Sequence, residues 1–300
     1  MVGVDVGGTK IAAAIVSGSE ATGAVEHPTD VSSGEAVIAG IEAAVREVAE
    51  QPQAVGVGMP SQIEFATGTV VASVNIPLEG VPLRDELSRR LGAPVFLDND
   101  ANCAALAEAA TVGVGNLVML TLGTGVGGGV VIDGEIFRGA SGLGAELGHV
   151  TIQADGPECP GNCPNRGCLE ALCSGTALER DAGMPGREAV AKAEEGDEAV
   201  LAVFERLGRN LGVGIAAMVN AFEPELLVIG GGLSRAADLF FETARAEAAA
   251  RALPKLFERV EIGLAQGGAD AGVIGAGLLG AQELARSGDT ARTQATEGAK

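Results

Sequence analysis

The 300-residue chain has no tryptophan and no tyrosine, and aromatic residues make up only 3% of it. Rings that could stack on a base or a sugar face are scarce, so a polar ligand would have to be held by hydrogen bonds. Basic residues are half as numerous as acidic ones, 20 against 40, giving a formal net charge of −20. Such a surface is a poor match for a phosphate backbone, and no nucleic-acid partner is expected. No apolar run reaches eighteen residues, which excludes a membrane-spanning helix. The opening MVGVDVGG lacks the charged and apolar regions of a signal peptide, so a cytoplasmic protein is expected. Two nucleotide signatures are also missing: no G-x-x-x-x-G-K-[ST] occurs, and no strand feeds a G-x-G-x-x-G that opens a helix. With 47% hydrophobic residues the chain can still bury a sizeable core and form two domains.

What is present is a repeated strand–glycine turn–strand layout. VGVDV runs into Gly7-Gly8-Thr9-Lys10 and then IAAAIV; about 115 residues later LVMLTLG runs into Gly123-Thr124-Gly125 and then a second apolar run. ELLVIG leads to a third glycine turn at Gly231-Gly232. Glycine lets backbone amides approach phosphate oxygens where a Cβ would obstruct them. One such turn is ordinarily just a turn; three of them, each behind an apolar strand, point to a phosphorylated ligand. Lys10 adds an ammonium and Thr9 a hydroxyl, while Asp5 places a carboxylate where it could hold magnesium through water. Helical spacing appears at Glu35–Glu50, Leu83–Leu91, Ala101–Ala110, Asp197–Phe222 and Ala237–Arg251. Alternating strands and helices indicate an α/β protein. Its expected division is a small domain at 1–112, a larger one at 113–285 whose last helix packs back on the first, and a polar tail at 286–300.

Chemistry concentrates in two places. PVFLDNDAN sets Asp98, Asn99, Asp100 and Asn102 where a buried strand gives way to a helix. One of these polar residues is expected to cap the helix. An aspartate there could accept the proton of an attacking hydroxyl, and Asp100 is the candidate base. Farther on, His149 precedes Cys159, Cys163 and Cys168. One imidazole and three thiolates complete a tetrahedral zinc site with no open position, which makes it structural. Cys173 could instead join the three cysteines around an iron–sulfur cluster, but their spacing matches no common ferredoxin pattern. Cys103 and Cys173 read as buried thiols. Glu146 and Glu170 flank the proposed ligands, where a bound metal would hold them steady.

DVGGTK, LDNDAN, LGTGVGGG, GAELGH, the cysteine knuckle with GCLE, and VIGGGLS stand in the order found in the ROK family of repressors and sugar kinases, and the chain resembles its bacterial glucokinases from about Val2 to Gly280. The resemblance implies an actin-like ATPase fold with two domains flanking a cleft, ATP with magnesium, and a homodimer or homotetramer. It implies that Asp100 is the base, that Asn99, Glu146, His149 and Glu170 bind sugar, and that Ser61 in GMPS lines the sugar pocket. Gly7, Gly8, Thr9, Lys10, Gly123 and Thr124 then clamp phosphate, Gly231 and Gly232 lie on the nucleoside side, and His149 with Cys159, Cys163 and Cys168 holds zinc. The knuckle departs from the family's C-x-C-G-x-x-G-C: Cys159 and Cys163 are two residues farther apart, and a proline replaces a glycine. The expected reaction is ATP-dependent phosphorylation of D-glucose to glucose 6-phosphate. The alternatives are another hexose, such as N-acetylmannosamine, fructose or allose, and a sugar-sensing repressor. The acidic balance and a first phosphate strand starting at Val2 argue against the repressor.

Overall fold

The computed structural model describes residues 1–268 and 270–297, with side chains through 288 except at 269. Of the polar tail expected at 286–300, α10 takes in residues up to Glu297, and side chains beyond 288 lie outside the described residues. The chain forms two compact units: residues 1–113 with 134–144 and 266–300, and residues 114–133 with 145–265.

The first unit opens with β1 (Val2–Val6), β2 (Lys10–Ser17) and β3 (Glu20–Pro28), followed by α1 (Gly34–Val48), β4 (Val55–Met59), the hairpin β5 (Ser61–Glu64) and β6 (Thr69–Ser73), α2 (Leu83–Leu91), β7 (Val95–Asn99) and α3 (Asp100–Val112). Its main sheet has the order β3-β2-β1-β4-β7, antiparallel across β3-β2-β1 and parallel from β1 to β7. Helix α1 starts where Ser33 accepts a hydrogen bond from the Ala36 amide, and it buries Val37, Ile41 and Val45. Strand β3 was not evident from the sequence: EATGAVEHP is an edge strand with charged and small residues in place of apolar alternation.

After α3 come β8 (Leu117–Leu122), β9 (Val126–Ile132), β10 (Glu135–Ile136), α4 (Leu169–Cys173), α5 (Gly175–Ala182), α6 (Gly186–Glu194), α7 (Glu198–Phe222), β11 (Leu226–Gly230), α8 (Phe241–Arg251), α9 (Pro254–Phe257), β12 (Glu261–Leu264) and α10 (Ala271–Glu297). The second sheet, β10-β9-β8-β11-β12, repeats the topology of the first: an antiparallel hairpin, then parallel strands. The run read from sequence as one helix over Ala237–Arg251 is broken. A 3₁₀ segment ends at Leu239, and Phe240 turns fully into the core before α8 begins.

Helix α10 covers the first sheet at backbone distance. A Cβ on Gly3 or Gly56 would strike main-chain atoms of Val273 or Ala276, and a Cβ on Gly275 would strike Cys103. Among the described residues no helix is long and apolar enough to cross a membrane.

Candidate active site and metal centre

In the first unit the parallel register aligns Asp5 with Gly58 and Gly58 with Asp98, so the carboxyl ends of β1, β4 and β7 share one edge. Ligand-binding residues of open α/β sheets gather at such an edge. Asn99 ends β7 and caps α3: its Oδ1 accepts from the Ala101 amide at 2.9 Å, and its Nδ2 donates to the Ser61 carbonyl at 3.4 Å. Asp100 is the first residue of α3 and accepts from the Ala101 amide at 2.8 Å, so its carboxylate lies at the positive end of the helix. Burial, and next the charge of Asp100, push the Asp5 carboxyl up to about 6, with Lys10 opposing. Asp5 also sits against the start of α10, where a Cβ on Gly272 would meet its carboxylate at 2.7 Å. Ser61 is buried and donates to Ser73 Oγ at 2.9 Å.

The first glycine turn closes through the Gly7 amide donating to the Lys10 carbonyl at 2.8 Å. Thr29, which the sequence did not single out, pins the turn by donating from Oγ1 to the Gly7 carbonyl and from its amide to Thr9. Gly8 and Thr9 are exposed. Lys10 points to Glu26 on β3 and pairs with it.

In the second unit the Gly123 amide donates to the Gly125 carbonyl at 2.9 Å, and Gly175 and Thr176 of α5 donate to Gly123 and Thr124. Glu170 leans on this turn. Its Oε2 accepts from the Val126 amide at 2.9 Å and fills the space a Cβ on Gly125 would need. Gly231 has φ of +84°, and a side chain there would run into the main chain of Leu122; Gly232 is exposed. Glu146 is exposed and precedes a 3₁₀ turn, Leu147–His149, in which the His149 amide donates to the Glu146 carbonyl at 3.0 Å.

The ligand atoms of His149, Cys159, Cys163 and Cys168 all lie within 4.8 Å of one another. His149 Nδ1 is 3.4 Å from Cys159 Sγ, and the Cys163 and Cys168 sulfurs are 4.0 Å apart. Four donors around a zinc with bonds of about 2.3 Å stand about 3.8 Å apart, so the cluster has tetrahedral dimensions. The wider Cys159–Cys163 loop still brings Cys159 in. Burial and the neighbouring thiols push the Cys159 thiol up, so thiolates here need a cation beside them. Cys173 is fully buried elsewhere, with its sulfur 3.8 Å from the Leu207 carbonyl, and so the alternative four-cysteine set does not form.

The ROK family model matches residues 1–283. A glucokinase from Thermotoga maritima is 38% identical over 93% of this chain and 96% of its own. A ROK hexokinase from Thermus thermophilus superposes with a TM-score of 0.85 at 37% identity, covering 95% of this chain and 99% of its own. A ROK glucokinase from Streptomyces griseus, solved with glucose and AMPPNP, gives a TM-score of 0.77 at 31% identity, covering 94% of this chain and 99% of its own. The actin-like α/β architecture expected from the motifs is the one present.

Proposed function

The chain belongs to the ROK family, and from that premise we propose that it is an ATP-dependent glucokinase converting D-glucose to glucose 6-phosphate. The observation that carries this reading is the carboxylate pair Asp5–Asp100 at one sheet edge, with Asp100 at a helix start. Two bacterial relatives matched over more than nine-tenths of both lengths are glucokinases.

Asp100 accepts the proton of the sugar hydroxyl as its oxygen attacks the γ-phosphorus; one positioned base is worth about 10²–10⁴ in rate. Asn99 orients the sugar beside it, and Ser61 bounds the pocket. Glu146 and Glu170 accept hydrogen bonds from other hydroxyls, and His149 offers Nε2, because Nδ1 faces the cysteines. With so few aromatic rings in the chain, specificity rests on these hydrogen bonds. Gly7, Gly8, Thr9, Lys10, Gly123 and Thr124 receive the phosphates, Lys10 exchanging Glu26 for one of them, and Gly231 with Gly232 borders the nucleoside. Asp5 would hold the magnesium that accompanies ATP, and the ion would supply neutralisation of charge on the transferring phosphate. Zinc on His149, Cys159, Cys163 and Cys168 stiffens the segment that carries both glutamates. The protein acts as a homodimer or homotetramer in the cytoplasm, where its five cysteines stay out of disulfides.

ADP release from ATP, magnesium and a hexose panel tests the reaction, with glucose expected to be the best acceptor. Asp100→Asn should lower kcat by about 10²–10⁴ while glucose still binds by calorimetry; turnover near wild type would remove Asp100 as the base. Elemental analysis should return one zinc per chain, and Cys163→Ser should lose it. Iron in place of zinc would overturn the metal assignment.

A further inference from the structure

Arg138 has no part in the chemistry above and lies outside every motif, yet it is almost wholly buried, with 11% of its side chain exposed. Its Nε donates to Asp98 Oδ2 at 2.5 Å, Nη2 lies 3.3 Å from Glu283 Oε1 on α10, and the guanidinium stacks 3.9 Å from the centroid of Phe65. Asp98 is buried too. Its other oxygen accepts from the Asn99 amide and from Asn102 Nδ2, both at 2.8 Å. The backbone around Arg138 is equally constrained. Its carbonyl accepts from the Gly144 amide at 2.9 Å, the Phe65 amide donates to the Ser141 carbonyl at 3.2 Å, and Gly142, at φ of +99°, fits against Phe65 where a Cβ would meet backbone at 2.7 Å. The loop over residues 138–144 is thus docked on Phe65 twice, once by ring stacking and once by main chain. It leads on in sequence to Glu146.

A buried arginine paired with two buried carboxylates is costly to assemble and adds little to stability compared with apolar packing. What it adds is fixed geometry, since a planar guanidinium with its face on a ring and its edge on a carboxylate has little freedom left. Here that edge falls on the residue directly before Asn99 and two before Asp100.

We propose that Arg138 is a positioning residue for phosphoryl transfer: through Asp98 it fixes the backbone that aims Asn99 and Asp100. The proposal rests on Asp100 being the base. None of the three glycine turns belongs to this network, so its loss should affect the proton acceptor and leave ATP binding alone. Displacement of a catalytic group by about 1 Å can cost about 10²-fold.

The test compares Arg138→Met, Arg138→Lys and the charge-balanced pair Arg138→Met/Glu283→Gln with wild type in the full, zinc-loaded chain. The pair leaves the net charge of the segment unchanged, which separates loss of the arginine from loss of charge balance. Expected are a kcat lowered about 10- to 100-fold, a KM for MgATP within about twofold of wild type, and a smaller loss in Arg138→Lys, which keeps the charge. In an Asp100→Asn background, Arg138→Met should lower the residual turnover far less than it lowers that of wild type, because one of the two groups it aims is already gone. Hydrogen exchange at the amides of residues 99–102 should speed up whatever the substrate proves to be. Unchanged exchange there, or an equal rise in the KM of both substrates with kcat intact, would overturn the proposal. A wild type that turns over no hexose would instead sink the kinase reading, and the exchange result would still decide whether Arg138 orders the segment.

Discussion

A carboxyl group whose proton is held by burial reports directly on its surroundings, and Asp5 is the clearest case in this chain. Its ordinary value is 3.8 and its value here about 6. Between those limits the folded state keeps a proton that the unfolded chain has already released. Stability contributed by this residue is therefore full below about pH 4 and falls until about pH 6, by roughly 3 kcal/mol for two pH units. Above that it is flat. Asp5→Asn should remove the step: its urea midpoint should gain on wild type between pH 4 and 6 and hold the gain at pH 8. Asp100→Asn should shrink the step without abolishing it, because the charge of Asp100 ranks second to burial as a cause. A wild-type midpoint that rises across this interval as much as that of Asp5→Asn would show that Asp5 titrates normally. In the proposed reaction the same carboxyl would have to be ionised to hold magnesium, so the KM for MgATP should climb as pH drops below about 6.

At the scale of elements, helix α10 lies on the first sheet through glycines on both partners. On the strand side stand Gly3 and Gly56; on the helix side Gly272, Gly277 and Gly280, while Gly275 fits against Cys103 of α3. A methyl at Gly56 would have to enter the main chain of Ala276, which no rotamer change can relieve, so Gly56→Ala should cost at least about 3 kcal/mol. Gly263, in β12, has open space and an ordinary backbone, and Gly263→Ala should fall within about 0.5 kcal/mol of wild type. Equal midpoints in chemical denaturation for the two variants would mean that α10 does not sit this close.

This contact also marks the limit of what the sequence disclosed. The paired strand–turn–strand units, a polar cap at the start of α3 and the Cys159–Cys163–Cys168 knuckle were legible because each is local: the residues that cooperate lie within a few positions of one another. A last helix packing back on the first domain was expected, but not how close it lies, because the fit of its glycines depends on strands more than 200 positions away. Arg138 was invisible for the same reason. Its partners Phe65, Asp98 and Glu283 are scattered along the chain, and nothing in FRGASG signals a buried ion pair. Asp98 could be seen as polar at a strand end, but not that it faces inward to an arginine, two positions before the proposed base Asp100.

For the molecule as a whole the governing quantity is its charge. Many cations are already committed to neighbours: Arg46, Arg209 and Arg251 each pair with a glutamate four positions earlier on the same helix. The excess of twenty acids therefore sets the long-range field, and that field repels MgATP, which is itself an anion. Raising salt shortens the Debye length from about 30 Å at 0.01 M to about 8 Å at 0.15 M, leaving the short-range donors of the glycine turns to act nearly alone. The KM for MgATP should consequently fall, by roughly two- to fivefold over that range, with total magnesium held in excess. Glucose carries no charge, and its KM should stay constant in the same series, which separates screening from any general effect of salt on the protein. A KM for MgATP that increased with salt would mean that a local cationic field at the phosphate turns outweighs the acidic surface, with Lys10 leaving Glu26 before ATP arrives rather than in response to it.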